Sequence, residues 1–179
     1  KDRLLGLGFD SSVRSIVDEA HQAAVSQALD YLSEHAGYTR KQDPAASKKR
    51  LIIEKLAGIS GVKYEHRTSR AGDPHVHSHV LLANKQLCQD GKARTLDGVS
   101  LYHEARAAGM GYQATVREIL SRKLGVEFGD VVNGCAEIVG LDDPELLASY
   151  STRAREIDQW QAENGLETRA SYELSLIHI

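Results

Sequence analysis

A chain of 179 residues, 41% hydrophobic and 26% charged, has the size and balance of one globular domain rather than of a disordered or fibrous segment. No apolar run reaches the roughly 18 residues of a membrane-spanning helix, and two cysteines, Cys88 and Cys135, cannot build a disulfide framework. Net charge is −3, which argues against a nucleic-acid binder if the chain is treated as one uniform body.

Lys1 opens the chain with neither an initiator Met nor a charged-then-apolar leader, and we read this start as a cut end. Asp10, Ser11 and Ser12 supply helix caps, after which Val13, Ile16, Val17, Ala20, Ala24, Ala28, Leu29 and Leu32 recur at helical spacing. The pattern predicts a long amphipathic helix to His35, stopped at Gly37. A polar loop follows over Gln42–Ser47, then strands over Leu51–Ile59 and Val62–Arg67. From His75 to Lys85 the chain alternates: Val76, Ser78 and Val80 share one face, and His75, His77 and His79 the other. Gln89–Lys92 is a hairpin turn into a strand ending near Leu96. A second helix starts at Asp97 or Ser100 and closes at Leu124–Gly125, with close packing or a bend at Gly109 and Gly111. Cys135–Val139 reads as a strand, Asp142–Pro144 as the start of a short helix, and Ser151–Glu163 as a longer one. Residues 1–165 form the predicted domain, and 166–179 a tail whose Leu174–Ile179 end lacks cap and period. Elements of both kinds without regular alternation of strand and helix predict an α+β fold. Both thiols are expected to be free and buried, in a reducing cytoplasm.

Charge is unevenly spread. Between Gly37 and Arg70 nine basic residues face three acidic ones, a local +6; between Glu127 and Glu163 nine acids face two bases, a local −7. The basic stretch Arg40, Lys41, Lys48, Lys49 and Arg50 is a candidate track for a phosphate backbone.

Four of the eight histidines fall between His66 and His79. Strand geometry puts His77 and His79 on one face about 7 Å apart at the backbone, and a third imidazole from the neighbouring strand would complete a metal site with open positions. His66 and His75 both qualify as that third ligand on alternation alone. Imidazole ligands suit several divalent ions and leave the identity open.

The run from His66 through Arg67, Thr68, Ser69, Arg70, Ala71, Gly72, Asp73, Pro74, His75, Val76, His77, Ser78 and His79 to Asn84 closely resembles the metal motif of conjugative relaxases of the MobF (TrwC/TraI-like) type, members of the His-hydrophobe-His nuclease superfamily. The resemblance continues through Asp90–Gly98 and the second helix, roughly from Leu4 to Trp160. It implies that the ligands are His66, His77 and His79, holding one divalent ion (Mg, Mn or Zn), and that the fold is an antiparallel palm-like sheet with helices on one face. It implies a transferase that nicks and rejoins single-stranded or hairpin DNA at an origin of transfer. In that reaction a tyrosine hydroxyl attacks one phosphodiester, becomes linked to the 5′ phosphate and releases a 3′ hydroxyl, while the ion offsets charge on the phosphate oxygens. A helicase domain often follows in such proteins, and no membrane partner is implied.

In the family the nucleophilic tyrosines lie upstream of the region matched here. None of Tyr31, Tyr38, Tyr64, Tyr102, Tyr112, Tyr150 and Tyr172 matches their motif, so no catalytic tyrosine is assigned and this fragment is expected to bind metal and DNA without nicking alone. Arg70, with Thr68 and Ser69, is a candidate phosphate contact. The competing reading is a non-catalytic His-rich metal-binding or DNA-binding module. A cupin-like barrel is disfavoured by the two long helices and by the lack of a Glu shortly after His79.

Overall fold

The computed structural model describes residues 11–141 and 143–163. The readings on Asp10, Asp142 and the 166–179 tail lie outside these residues. Two long helices form the centre. α1 spans Ser11–His35 and α2 spans Gly98–Leu124. The apolar stripe predicted for each is the face they share: Val17, Ala20 and Ala24 of α1 pack with Val116, Ile119 and Leu120 of α2, joined by Ile138, in the buried core. Small residues on α1 let the helices approach closely, and at Gly111 a Cβ would lie 2.9 Å from the Gln27 side chain. That is the close packing expected there, and α2 runs through the position as one helix. Its ends are set by local chemistry. The Asp97 carboxylate accepts from the Val99 amide, and Gly125, at φ 66°, turns the chain out with its N–H on the Ser121 carbonyl at 2.9 Å.

Six strands pair as three antiparallel hairpins among the described residues: β1 (Tyr38–Gln42) with β2 (Leu51–Lys55), β3 (Gly61–Thr68) with β4 (Pro74–Leu82), and β5 (Lys85–Leu87) with β6 (Ala93–Thr95). The α+β class and the antiparallel pairing agree with expectation, and the helices lie on one face of the β3–β4 hairpin. There Ser78 of β4 meets His21 of α1, and Lys63, Glu65 and Arg67 of β3 meet Gln22 and Asp18. The buried Gln86 ties β5 to the turn before β3: its amide oxygen accepts from the Ser60 amide and hydroxyl, and its nitrogen donates to the Ser60 and Ala83 carbonyls. Arg94 of β6 donates to Asp90 and lies 3.3 Å from Glu54 of β2. Its hydrogen bonds hold the Asp90 carboxyl far below the usual carboxylate range.

Three readings are corrected. The strand expected over Leu51–Ile59 ends at Lys55, and only an isolated bridge continues it, Leu56 to Cys88. Cys135–Val139 is not a strand but carries isolated bridges, Phe128 to Ile138 and Val132 to Cys135. Asn133, Gly134 and Gly140 there have φ of 51°, 86° and 83°, conformations that break a pleat on both sides of this short apolar run. Cys88 is buried as expected, but Cys135 is exposed in that looped segment; both thiols are free.

Beyond the core, α3 (Pro144–Ser149) begins with Pro144 in its first turn under an Asp143 cap, and α4 (Thr152–Glu163) follows. Asp73, in the turn before β4, anchors α4. Its carboxylate accepts from the Thr152 amide at 2.9 Å and the Thr152 hydroxyl at 2.7 Å, supplying the acceptor that a helix N-terminus needs. Among the described residues no helix is long and apolar enough to cross a membrane.

Candidate metal centre

Hairpin register builds the site. β3 and β4 pair so that His66 stands directly opposite His77, and Tyr64 opposite His79. Side chains of directly opposed residues share a face of an antiparallel pair, and His79 is two residues along from His77. The three imidazoles therefore meet on one face. Ring centroids are 5.2 Å apart for His66 and His77, 4.9 Å for His66 and His79, and 4.9 Å for His77 and His79. One nitrogen from each ring falls in a group whose members all lie within 4.8 Å of one another.

His77 shows how the backbone prepares this group. Its Nδ1 lies 3.0 Å from the His75 carbonyl, which can only accept, so Nδ1 is the donor of that contact and Nε2 is the ring nitrogen left to face the group. That Nε2 is 3.2 Å from Nε2 of His79. A tetrahedral ion bonded at 2.0–2.1 Å separates its ligand nitrogens by about 3.4 Å, so the spacing fits one cation shared by both rings. A carbonyl behind a ligating imidazole is also the usual outer support that fixes tautomer and ring orientation. The donor set, three imidazoles with no carboxylate among them, suits a borderline ion such as Zn better than Mg, which takes oxygen ligands.

Alternation alone left His66 and His75 as equals. The register favours His66, because it crosses from the neighbouring strand, whereas His75 stacks on His77 with centroids 4.5 Å apart and contributes its carbonyl. On the opposite face of β4, Ser78 joins a half-buried network the sequence reading missed. His21 Nε2 is 2.8 Å from the Ser78 hydroxyl and His21 Nδ1 is 2.8 Å from the Tyr112 hydroxyl, linking α1, α2 and the strand between His77 and His79. The available signal was position: His21 sits four residues after Val17 on the buried stripe of α1.

The candidate DNA contacts are scattered by comparison. Arg70 is exposed in the turn closed by Ser69 and Asp73, beside the triad's hairpin. Lys48 and Lys49 are exposed in the β1–β2 loop. The other three of the basic stretch have acidic neighbours: Arg40 donates to Asp97 at 3.1 Å, Lys41 is 2.6 Å from Glu54, and Arg50 is 3.8 Å from Asp43. A second cluster, Glu54, Cys88 and Asp90, also brings potential ligand atoms together, but Arg94 already compensates its carboxylates.

A family profile described as TrwC relaxase matches residues 4–175. The chain belongs to the TrwC relaxase family. No curated protein matches it significantly. Solved structures agree on the fold. A metal-free conjugative relaxase TrwC in complex with OriT DNA is 27% identical with a TM-score of 0.72, over 83% of this chain and 50% of that one. TrwC complexed with a 27-mer DNA comprising the recognition hairpin and the cleavage site is 25% identical with a TM-score of 0.75, over 88% and 55%. A metal-bound TrwC–OriT complex is 26% identical with a TM-score of 0.75, over 86% and 50%. The chain thus spans about half the length of these TrwC structures.

Proposed function

We propose that this chain is the metal- and DNA-binding part of a conjugative relaxase, its domain running over residues 1–165. The parent protein nicks and rejoins single-stranded or hairpin DNA at an origin of transfer through a 5′-phosphotyrosine. One observation carries the reading: the three imidazoles of His66, His77 and His79 converge on an exposed hairpin face, with Nδ1 of His77 against the His75 carbonyl and its Nε2 turned toward His79. The site so built is open on the solvent side, as a group that must admit a phosphodiester requires.

These residues would hold one divalent ion, Mn, Zn or Mg, which supplies positive charge to oxygens of the scissile phosphate. The chain's own contribution is placement. Paired strands fix the His66 and His77 rings against each other, the His75 carbonyl orients His77, and the half-buried His21–Ser78 link braces the strand from behind. Arg70, beside the triad, and Lys48 and Lys49, on the β1–β2 loop, bind phosphates along the strand. Arg40, Lys41 and Arg50 contribute less to that affinity because acids already share their charge. We assign no nucleophile within this chain. The setting is cytoplasmic, and a helicase domain is a candidate neighbour in the parent protein.

The experiment is binding and cleavage of single-stranded origin-of-transfer DNA by this chain with Mn²⁺ added. Binding is expected to weaken as salt rises, and a Lys48→Ala/Lys49→Ala pair to reduce the log–log salt slope by about 1.4, or ~0.7 for each lost contact to a single strand. No covalent protein–DNA product is expected. Absence of binding at low salt, or a phosphotyrosine adduct formed by this chain, would overturn the respective part of the proposal.

A further inference from the structure

The two faces of the β3–β4 hairpin have different chemistry. On one, Lys63 and Glu65 meet Gln22, and Arg67 donates to Asp18 at 2.8 and 2.9 Å, so the polar residues of β3 are engaged with α1. On the other, register pairs His66 with His77, Tyr64 with His79 and Val62 with Leu81. That face carries no charged side chain other than through its histidines. Its apolar members are open: Tyr64 is 50% exposed, Val62 54% and Leu81 63%. Three large apolar side chains left uncovered in a continuous row beside a cluster of metal-type ligands mark a contact surface.

The neighbouring triad indicates what touches it. A phosphate held at His66, His77 and His79 brings its own sugar and base, and that base must come to rest within a nucleotide's reach. Backbone phosphates need cations, and this row has none; a base needs an aromatic face with apolar flanks, and this row has both. Tyr102 and Trp160, also exposed, stand on α2 and α4 rather than on this hairpin.

We propose that Tyr64 stacks on the nucleobase adjoining the phosphate at the triad, with Val62 and Leu81 as the apolar floor beyond it. This rests on the reading of the hairpin as a single-stranded DNA site. Tyr64 is a positioning residue here: its ring sets where the strand lies, and its hydroxyl takes no part.

The test uses this chain with Mn²⁺ and a single-stranded oligonucleotide of alternating thymine and 2-aminopurine, whose fluorescence falls on stacking. Tyr64→Ala and Tyr64→Leu are expected to bind about tenfold more weakly and to lose the quenching, with the salt slope unchanged because no phosphate contact is removed. Tyr64→Phe keeps both affinity and quenching. Mn²⁺ affinity is the same in all four proteins, which shows that the triad and the hairpin are intact. Parent-like affinity and quenching in Tyr64→Ala and Tyr64→Leu would overturn the stacking role while leaving the DNA-site reading in place. Self-association of the parent that those variants abolish, with DNA binding unchanged, would assign the face to a second copy and equally overturn it. No oligonucleotide binding by the parent would remove the site reading itself and the stacking role with it.

Discussion

His21 is the residue on which the site's rear support turns. It is 5% exposed, and its ring nitrogens are hydrogen-bonded to the hydroxyls of the half-buried Tyr112 and Ser78. Replacing it by Ala removes a packed ring and a hydrogen-bond partner from each of the two hydroxyls. We expect His21→Ala to lower unfolding free energy by about 2–3 kcal/mol, the scale of a core truncation. Urea denaturation followed by circular dichroism measures this. Ser78 lies between His77 and His79 of β4, the proposed ligands, so the same variant should bind Mn²⁺ more weakly even under conditions where it remains folded. A stability within a few tenths of a kcal/mol of the parent, with unchanged Mn²⁺ affinity, would show that the network carries no load.

At the level of elements, the turn from Thr68 to Asp73 has two tasks. It closes the hairpin that registers the histidines, through the Ser69 amide on the Asp73 carbonyl at 2.8 Å, and it anchors α4 through the Asp73 carboxylate. The Thr152 hydroxyl bond is the chief cause of a depressed Asp73 pKa, helped by the Thr152 and Ser69 hydrogen bonds and by the charge of Arg155. A carboxyl whose folded pKa lies below its unfolded value stabilises the folded arrangement above the unfolded pKa, and that contribution disappears as pH falls through the folded one. Amide exchange in α4 should therefore be slow near neutrality and accelerate, relative to exchange in α1, as the solution is taken below about pH 4. Asp73→Asn should exchange faster in α4 at neutrality and show little of that acid dependence. Equal α4 protection in parent and variant across the range would rule the anchor out.

How much of this was legible follows from which forces are local. The helices could be read because their apolar stripes and end signals, Asp97 and Gly125, lie within the segment they govern. The alternation of β4 separated His75, His77 and His79 from Val76 and Ser78 for the same reason. Cys135–Val139 misled because five mostly apolar residues look alike in a strand and in a packed loop, and positive-φ residues on either side decide the matter. The His21 bridge and the Asp73–Thr152 link could not be read at all. Their partners are 57 to 91 residues away, and only the folded chain brings them together.

For the molecule as a whole, the helices cover one side of the β3–β4 hairpin and leave the other to solvent, so the long-range packing of α1 on α2 serves to hold a small exposed surface still. The local charge imbalance has the same character. Two charges of the +6 between Gly37 and Arg70 are matched by acids brought from elsewhere, Asp97 to Arg40 and Asp18 to Arg67, while Lys41 pairs with Glu54 inside the segment. Among the described residues no acid is paired in this way with Lys48, Lys49 or Lys55, and positive potential remains there. The organisation makes sense if the open face holds a cation, and the most direct measurement is isothermal titration of the purified chain with Mn²⁺ and Zn²⁺ against His66→Ala, His77→Ala and His79→Ala variants. The account predicts one ion per chain for the parent and loss of that binding in each variant with the fold retained. One ion bound equally well by all four proteins, or none bound by the parent, would contradict it.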